Sequence, residues 1–347
     1  VGVAVCRTAK GVPDRRLTNE SRINLVAEFS RSRRVEGNRT LLDLDVTDLL
    51  DGLELEEFRR QTGLSKSPVT LVLPNLLPDT SAQRERQDRV VVAFLHGFGG
   101  SRGSWGIRQP SLGPEGGLVS NVLRSVEKLG KEAIGVVLAG LGQDGGNVDA
   151  TARNLGLTPE HYSRQLEYVL RYLELYQCGR IVGIGHSFGA AALWEFARRN
   201  SAGGSEPTGR AEERPKLSVV SISPVRTMTQ STGLRLGCHV AGQGLDLLVR
   251  PLLRLWRFSS GRLWDLVGMA SVLKGLARQG PFRANLAGIK GLVLVGERDW
   301  FARRGLTVGL QNAGCAWPVA QLAGLGHNLL WHPATVRALV SYMPTLL

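Results

Sequence analysis

Gly185-His186-Ser187-Phe188-Gly189 is a segment whose residue types and spacing can do nucleophilic chemistry. A serine between two glycines suits a tight turn from a strand into a helix. There its hydroxyl stands free, and the helix N-terminus offers N–H groups and a positive dipole to a developing oxyanion. The spacing alone has little force, because glycine makes up 43 of the 347 residues, and Gly99-Gly100-Ser101-Arg102-Gly103 fits it as well. Context separates the two. Ser187 follows the apolar run Ile181-Val-Gly-Ile184 and precedes an apolar helical stretch. Ser101 sits in a glycine run with Gly106 and Pro110 close behind, so no helix starts at it.

A serine hydroxyl needs a base, and the base needs an acid to orient it. Six histidines are available. His327 follows Gly324-Leu325-Gly326 at the end of an apolar run and is assigned the base; His332, next to Pro333, is its rival. His186 adjoins the nucleophile, where neighbouring side chains diverge, His161 falls in a helix and His239 in an insertion. His96 opens a glycine-rich loop and suits a structural hydrogen bond. Asp299 follows the run Leu292–Val295 and is assigned the acid, with Glu297 as the alternative that a strand end could also aim inward.

Positioning these groups requires a regular frame. Strands are predicted over Arg89–Leu95, Ala133–Ala139, Arg180–Gly185, Lys216–Ser223, Leu292–Val295 and Trp317–Leu322. Helices are predicted over Leu118–Leu129, Thr158–Tyr176, Ser187–Arg199 and Pro333–Tyr342. Such alternation builds βαβ units, so the expected class is α/β, a mostly parallel sheet covered by helices on both faces. Residues 1–88 are set apart as an N-terminal extension that can hold first strands: Val69–Leu73 reads as a strand, Leu41–Arg60 as a helix or hairpin. The core is expected over 89–223 and 289–347, with 224–288 as a helical cap over the strand ends.

His96-Gly97-Phe98-Gly99, Gly185-His186-Ser187-Phe188-Gly189, Gly296-Glu297-Arg298-Asp299 and Gly326-His327-Asn328 occur in this order from about Arg89 to Leu347. In this order the chain resembles the α/β-hydrolase superfamily, in its serine-nucleophile branch with a helical cap. The order Ser, Asp, His matches that fold and not the trypsin or subtilisin orders. The resemblance implies Ser187 as nucleophile, and an oxyanion hole made by the backbone N–H groups of Phe98 and Phe188. It also implies a pocket near His96 and Gly97 and the cap residues Trp256 and Trp264. A serine nucleophile argues against the dehalogenase and epoxide-hydrolase branches, which use Asp. Gly140-Leu141-Gly142-Gln143-Asp144 lacks the Gly-Lys-Ser/Thr of a phosphate loop and is read as closing one side of the pocket.

Composition sets the outer bounds. Hydrophobic residues are 43% and charged residues 21%, an ordinary globular mixture. Apolar runs are too short for a membrane-spanning helix, and the cysteines at 6, 178, 238 and 315 are too scattered for a disulfide scaffold or a zinc knuckle. No metal site or cofactor is expected. The net charge is +13, yet no nucleic-acid-binding module accompanies it, so nucleic acid is not an expected partner. Residues 224–286 hold nine basic and two acidic residues. Leu245–Arg257 places Arg250, Arg254 and Arg257 on one helical face and Leu248, Leu252 and Leu255 on another, with Pro251 as a kink. Two accounts remain open: a cap helix with its apolar side on the pocket, or an interfacial helix on an anionic membrane or lipid surface. The compartment is read as cytoplasmic, with a weak organelle-targeting signal in the basic first 40 residues; the start at Val1 suggests a fragment or a processed product. Asn19-Glu-Ser21 and Asn38-Arg-Thr40 match glycosylation sequons that short motifs produce by chance.

The expected activity is hydrolysis of a small carboxylic ester with an apolar acyl or alkyl group. The alternatives are a thioester, amide or carbon–carbon bond at the same site, or ligand binding without catalysis.

Overall fold

Valine-rich runs such as Arg89-Val-Val-Val-Ala-Phe-Leu95 have no polar face, so they are stable only as strands buried on both sides. In the computed structural model they form the centre of a nine-stranded sheet. The structure describes residues 30–36, 39–74, 88–106, 117–201, 215–224, 232–255, 261–278, 286–303 and, with short breaks, 306–347.

In chain order the strands are β1 (Ser32–Glu36), β2 (Arg39–Asp45), β3 (Leu64–Lys66), β4 (Pro68–Pro74), β5 (Arg89–Leu95), β6 (Glu132–Leu138), β7 (Asn147–Val148), β8 (Arg180–His186), β9 (Lys216–Ile222), β10 (Lys290–Gly296) and β11 (Val319–Leu322). The helices are α1 (Gly52–Thr62), α2 (Leu118–Glu127), α3 (Ala150–Leu155), α4 (Pro159–Tyr172), α5 (Phe188–Ser201), α6 (Thr232–Leu255), α7 (Gly261–Arg278), the short α8 (Trp300–Arg303) and α9 (Pro333–Leu346). Leu41–Arg60, predicted as helix or hairpin, divides between β2 and α1. Asp51 caps α1 in a reciprocal capping box with Glu54, and Gly63 ends it in a left-handed conformation.

The sheet order is β1-β2-β4-β6-β5-β8-β9-β10-β11. Strands β6 to β11 in that order are parallel, while β1, β2 and β4 extend the sheet with antiparallel pairs. Residues 32–74, set apart in the sequence, therefore supply the antiparallel end of the same sheet, with β1 as its edge. One face is covered by α1, α4 and α5, whose Phe58, Tyr162, Leu166, Leu193 and Phe196 are buried in one apolar cluster. The other is covered by α2 and α9 through Val119, Val122, Leu339 and Met343.

Chain order doubles back at β5: β6 lies on one side of it and β8 on the other. The carboxyl ends of strands diverge at such a switch point and leave a crevice there. Both Ser187 and the 96–100 loop lie at these ends.

Between β9 and β10 the chain inserts α6 and α7. Helix α7 sits directly on the 140–157 region: the Leu157 N–H donates to the Ser271 carbonyl at 2.8 Å, and Lys274 Nζ donates to the Arg153 carbonyl at 2.9 Å. Glycines permit this approach. A Cβ at Gly268 would lie 2.1 Å from the Gly142 carbonyl oxygen, and one at Gly275 would lie 1.9 Å from that of Leu157. Among the described residues, no helix is long and apolar enough to cross a membrane.

Candidate active site

Ser187 joins β8 to α5 with φ +54°, a left-handed conformation that a side chain other than glycine seldom adopts. Its N–H donates to the Ile222 carbonyl of β9 at 2.8 Å, which fixes the turn against the neighbouring strand. The flanking glycines are required by space. A Cβ at Gly185 would lie 2.6 Å from the Ala190 backbone, and one at Gly189 would lie 2.1 Å from the Leu95 carbonyl oxygen. The segment is therefore a tight strand-to-helix turn, the geometry that the spacing suggests. Ser101, the other match, is the residue before a 3₁₀ turn, its N–H donating to Ser104 Oγ at 2.9 Å.

Around Ser187 the structure brings together both remaining groups. His327 Nε2 lies 3.0 Å from Ser187 Oγ, and His327 Nδ1 lies 2.9 Å from Asp299 Oδ2. The carboxylate can only accept, so Nδ1 carries the proton and Nε2 is left to accept from the serine hydroxyl. Asp299 is buried, and its second oxygen accepts the Ala302 N–H at 3.0 Å, so α8 holds the carboxylate in place. Burial acts to raise the Asp299 pKa, but His327, Ser223 and the Ala302 N–H around the carboxylate outweigh it and hold it below the usual aspartate value.

Glu297 points elsewhere. Its Oε2 accepts the Gly324 N–H at 2.7 Å and braces the loop that leads to His327. Arg298 N–H donates to the Leu325 carbonyl at 2.8 Å in the same clamp. His332 caps α9 by accepting the Ala334 N–H, His161 accepts the Thr158 N–H, and His239 is exposed on α6.

His96, read in the sequence as a structural hydrogen-bonder near the pocket, has both ring nitrogens engaged by backbone. Nε2 accepts the Gly140 N–H at 2.6 Å, so Nδ1 donates to the Gly97 carbonyl at 2.8 Å. Burial lowers its pKa, in keeping with a neutral ring that ties the two loops together. Gln143 Oε1 and Asp144 continue this junction, accepting from the Gly99 and Arg102 N–H groups at 2.9 and 2.8 Å. Gly97 lies against the serine: a Cβ there would be 2.7 Å from Ser187 Cβ. Phe98 follows it with a partly exposed ring. The Phe188 ring does not form an open wall; it is buried and stacks on Tyr162 with centroids 6.2 Å apart. Trp256 lies outside the described residues, and Trp264 is on α7, its side chain likewise outside them.

One contact escaped sequence reasoning. His186 was expected to diverge from the site, yet its Nε2–H donates to the His327 carbonyl at 3.0 Å, and the two rings are 5.2 Å apart. Burial, ahead of its other surroundings, pushes the His186 pKa down to about 4, so the ring is neutral at pH 7. The last residue of β8 thus pins the backbone of the histidine whose ring meets the next residue. No periodic signal marks such a contact, because its partner is far away in sequence.

The description "Alpha/beta hydrolase family" belongs to the family whose sequence model matches residues 92–339. The chain belongs to this family. A search of curated protein sequences finds no match. Among solved structures, this alpha/beta hydrolase is similar to a carboxylesterase study from the thaumarchaeon Nitrososphaera gargenis, with 13% identity, 81% of this chain and 96% of that chain covered, and a TM-score of 0.48. Est1E from Butyrivibrio proteoclasticus gives 11% identity, 81% and 94% coverage and a TM-score of 0.45. A thermophilic esterase from Thermogutta terrifontis gives 16% identity, 81% and 95% coverage and a TM-score of 0.45.

Proposed function

We propose that this alpha/beta hydrolase is a serine-dependent ester hydrolase acting on a carboxylic ester with an apolar acyl or alkyl group. The observation that carries the reading is the pair of contacts from His327, 3.0 Å to Ser187 Oγ and 2.9 Å to Asp299 Oδ2, at a strand-to-helix turn.

In this mechanism Ser187 Oγ attacks the ester carbonyl carbon while His327 Nε2 takes its proton. Asp299 keeps the imidazole in the tautomer with Nδ1 protonated and stabilises the imidazolium that forms. The tetrahedral oxyanion is held by the backbone N–H groups of Phe98 and Phe188, the first on the loop that His96 fixes and the second at the N-terminus of α5. Collapse breaks the bond to the alcohol oxygen, which receives the proton from His327. Water then attacks the acyl-enzyme with His327 again as base, releasing the acid and restoring Ser187. Helix α7, which lies on the 140–157 region beside the site, acts as the cap.

The test is labelling with a fluorophosphonate, wild type beside Ser187→Ala, followed by p-nitrophenyl esters of rising chain length. Labelling and turnover of the wild type alone are expected. Equal turnover by a folded Ser187→Ala protein, or no labelling of folded wild type, would overturn the reading.

A further inference from the structure

The insertion presents a surface that the hydrolytic chemistry does not use. Helix α6 runs for 24 residues. It packs inward through Cys238, Gly242 and Leu245: the cysteine and leucine lie against the core, and a Cβ at Gly242 would meet the Ala270 carbonyl of α7 at 3.1 Å. Leu236, Val240, Leu247 and Leu248 point away and are 63%, 62%, 70% and 70% exposed. At ~100° per residue, positions 236, 240 and 247 fall within about 40° of one another, on the side opposite the packed residues. An apolar stripe of this kind normally faces a core. Here the core side is occupied by α7 instead.

The two accounts left open by the sequence concern Leu245–Arg257, whose side chains from residue 249 on lie outside the described residues; the exposed stripe belongs to the preceding part of the same helix. The described apolar residues on the outer side of α6 are not turned toward the strand ends. We propose that α6 docks the protein onto an anionic lipid surface, lying in the plane of the interface with Leu236, Val240 and Leu247 inserted.

Charge selects the occupant. An apolar stripe alone would suit any apolar partner. Leaving out Lys274, which is buried against the Arg153 carbonyl, residues 224–286 still hold eight basic residues against Asp246 and Asp265, and the whole chain carries +13. The α6 sequence itself contains Arg235, Arg250 and Arg254 against Asp246. Apolar insertion combined with a basic excess is the composition that binds anionic lipid in preference to neutral lipid. The mounting also suits this role. Helix α7 is clamped to the core by Gly268, Gly275 and the Lys274 and Leu157 hydrogen bonds, and Arg278 Nη1 donates to the Leu155 carbonyl at 2.5 Å. Helix α6 is the layer outside it, so docking leaves the underlying packing intact.

The proposal is independent of the hydrolytic reading and is tested on the 347-residue chain carrying Ser187→Ala, so that any turnover of lipid through Ser187 is removed. Binding is measured by co-sedimentation with vesicles of equal phosphatidylglycerol and phosphatidylcholine, and with phosphatidylcholine alone. Expected is binding to the anionic vesicles at least about tenfold tighter than to neutral ones, weakened about tenfold as salt rises from 50 to about 500 mM. Leu236→Glu/Val240→Glu/Leu247→Glu should lose about tenfold or more of that binding with unchanged circular dichroism. The milder Leu236→Ser/Leu247→Ser serves if the triple variant misfolds. No binding to anionic vesicles, equal binding to both vesicle types, or equal binding by the folded variants would overturn the proposal. A solution dimer seen by light scattering and dissolved by the same substitutions would instead assign the stripe to a second copy of the chain, and would overturn it as well.

Discussion

Replacing His186 with Gln tests the coupling between β8 and the histidine loop. The ring is buried and neutral, with a pKa of about 4 against 6.5 for a free histidine. When pH falls below 6.5, the unfolded chain takes up a proton at this position and the folded chain does not. The folded state therefore has its full contribution from this group above pH 6.5, loses it as the pH falls, and has lost it by about pH 4. The gap between the two values corresponds to about 3 kcal/mol. His96 and His161 are also lowered by burial and add acid sensitivity of their own, but they are present in both proteins and cancel in the comparison. Guanidinium unfolding of wild type and His186→Gln at several pH values between 4.5 and 8 measures the difference. It should change by about 2–3 kcal/mol across that range, the wild type falling more steeply on the acid side. A glutamine amide reaches far enough to donate to the His327 carbonyl, so kcat at pH 8 should stay within about threefold. His186→Phe keeps the ring and loses the donor; on the proposed mechanism it should lower kcat about tenfold or more with KM little changed, because only the His327 imidazole is displaced. A stability difference that does not vary with pH, or equal kcat for Phe and Gln, would refute the assigned contact and its burial.

Asp299→Asn should lower kcat by roughly 10⁴, since the amide turns the imidazole to the wrong tautomer, as in serine proteases. Glu297→Gln should stay within about threefold, because the amide oxygen can still accept the Gly324 N–H; steady-state kinetics on one ester separates the two acids. Gly275→Ala should destabilise the protein by about 1–3 kcal/mol, as the new methyl meets the Leu157 carbonyl and pushes α7 outward; thermal unfolding reads this. Arg102→Met leaves the Asp144 carboxylate, which accepts from Arg102 Nε at 2.8 Å, without its cation in a half-buried loop. A loss of about 3–5 kcal/mol in chemical unfolding is expected.

Legibility in the sequence followed a physical division. The parallel strands were readable because burial on both faces demands unbroken apolar runs, and Arg89–Leu95 needs no partner to announce itself. Ser187 was readable because its glycines answer a local steric demand: the strand-to-helix turn leaves no room for a Cβ at Gly185 or Gly189. The assignments of Asp299 over Glu297, and of His327 over His332, rested on the order of the motifs and not on a local demand. Both members of each pair are compatible with a strand end or a helix start.

What the chain determined by itself was local: alternation of strands and helices, the turn around Ser187, and the charge excess of residues 224–286. What tertiary structure decided was every contact between segments distant in sequence. It set Glu297 on the Gly324 N–H and Asp299 on His327, and turned His186 onto the His327 carbonyl. It placed residues 32–74 at one end of the sheet, β1 at its edge, and faced the apolar stripe of α6 outward. The reason is that period and propensity report which faces of an element are apolar, whereas only the packed sheet fixes what those faces meet.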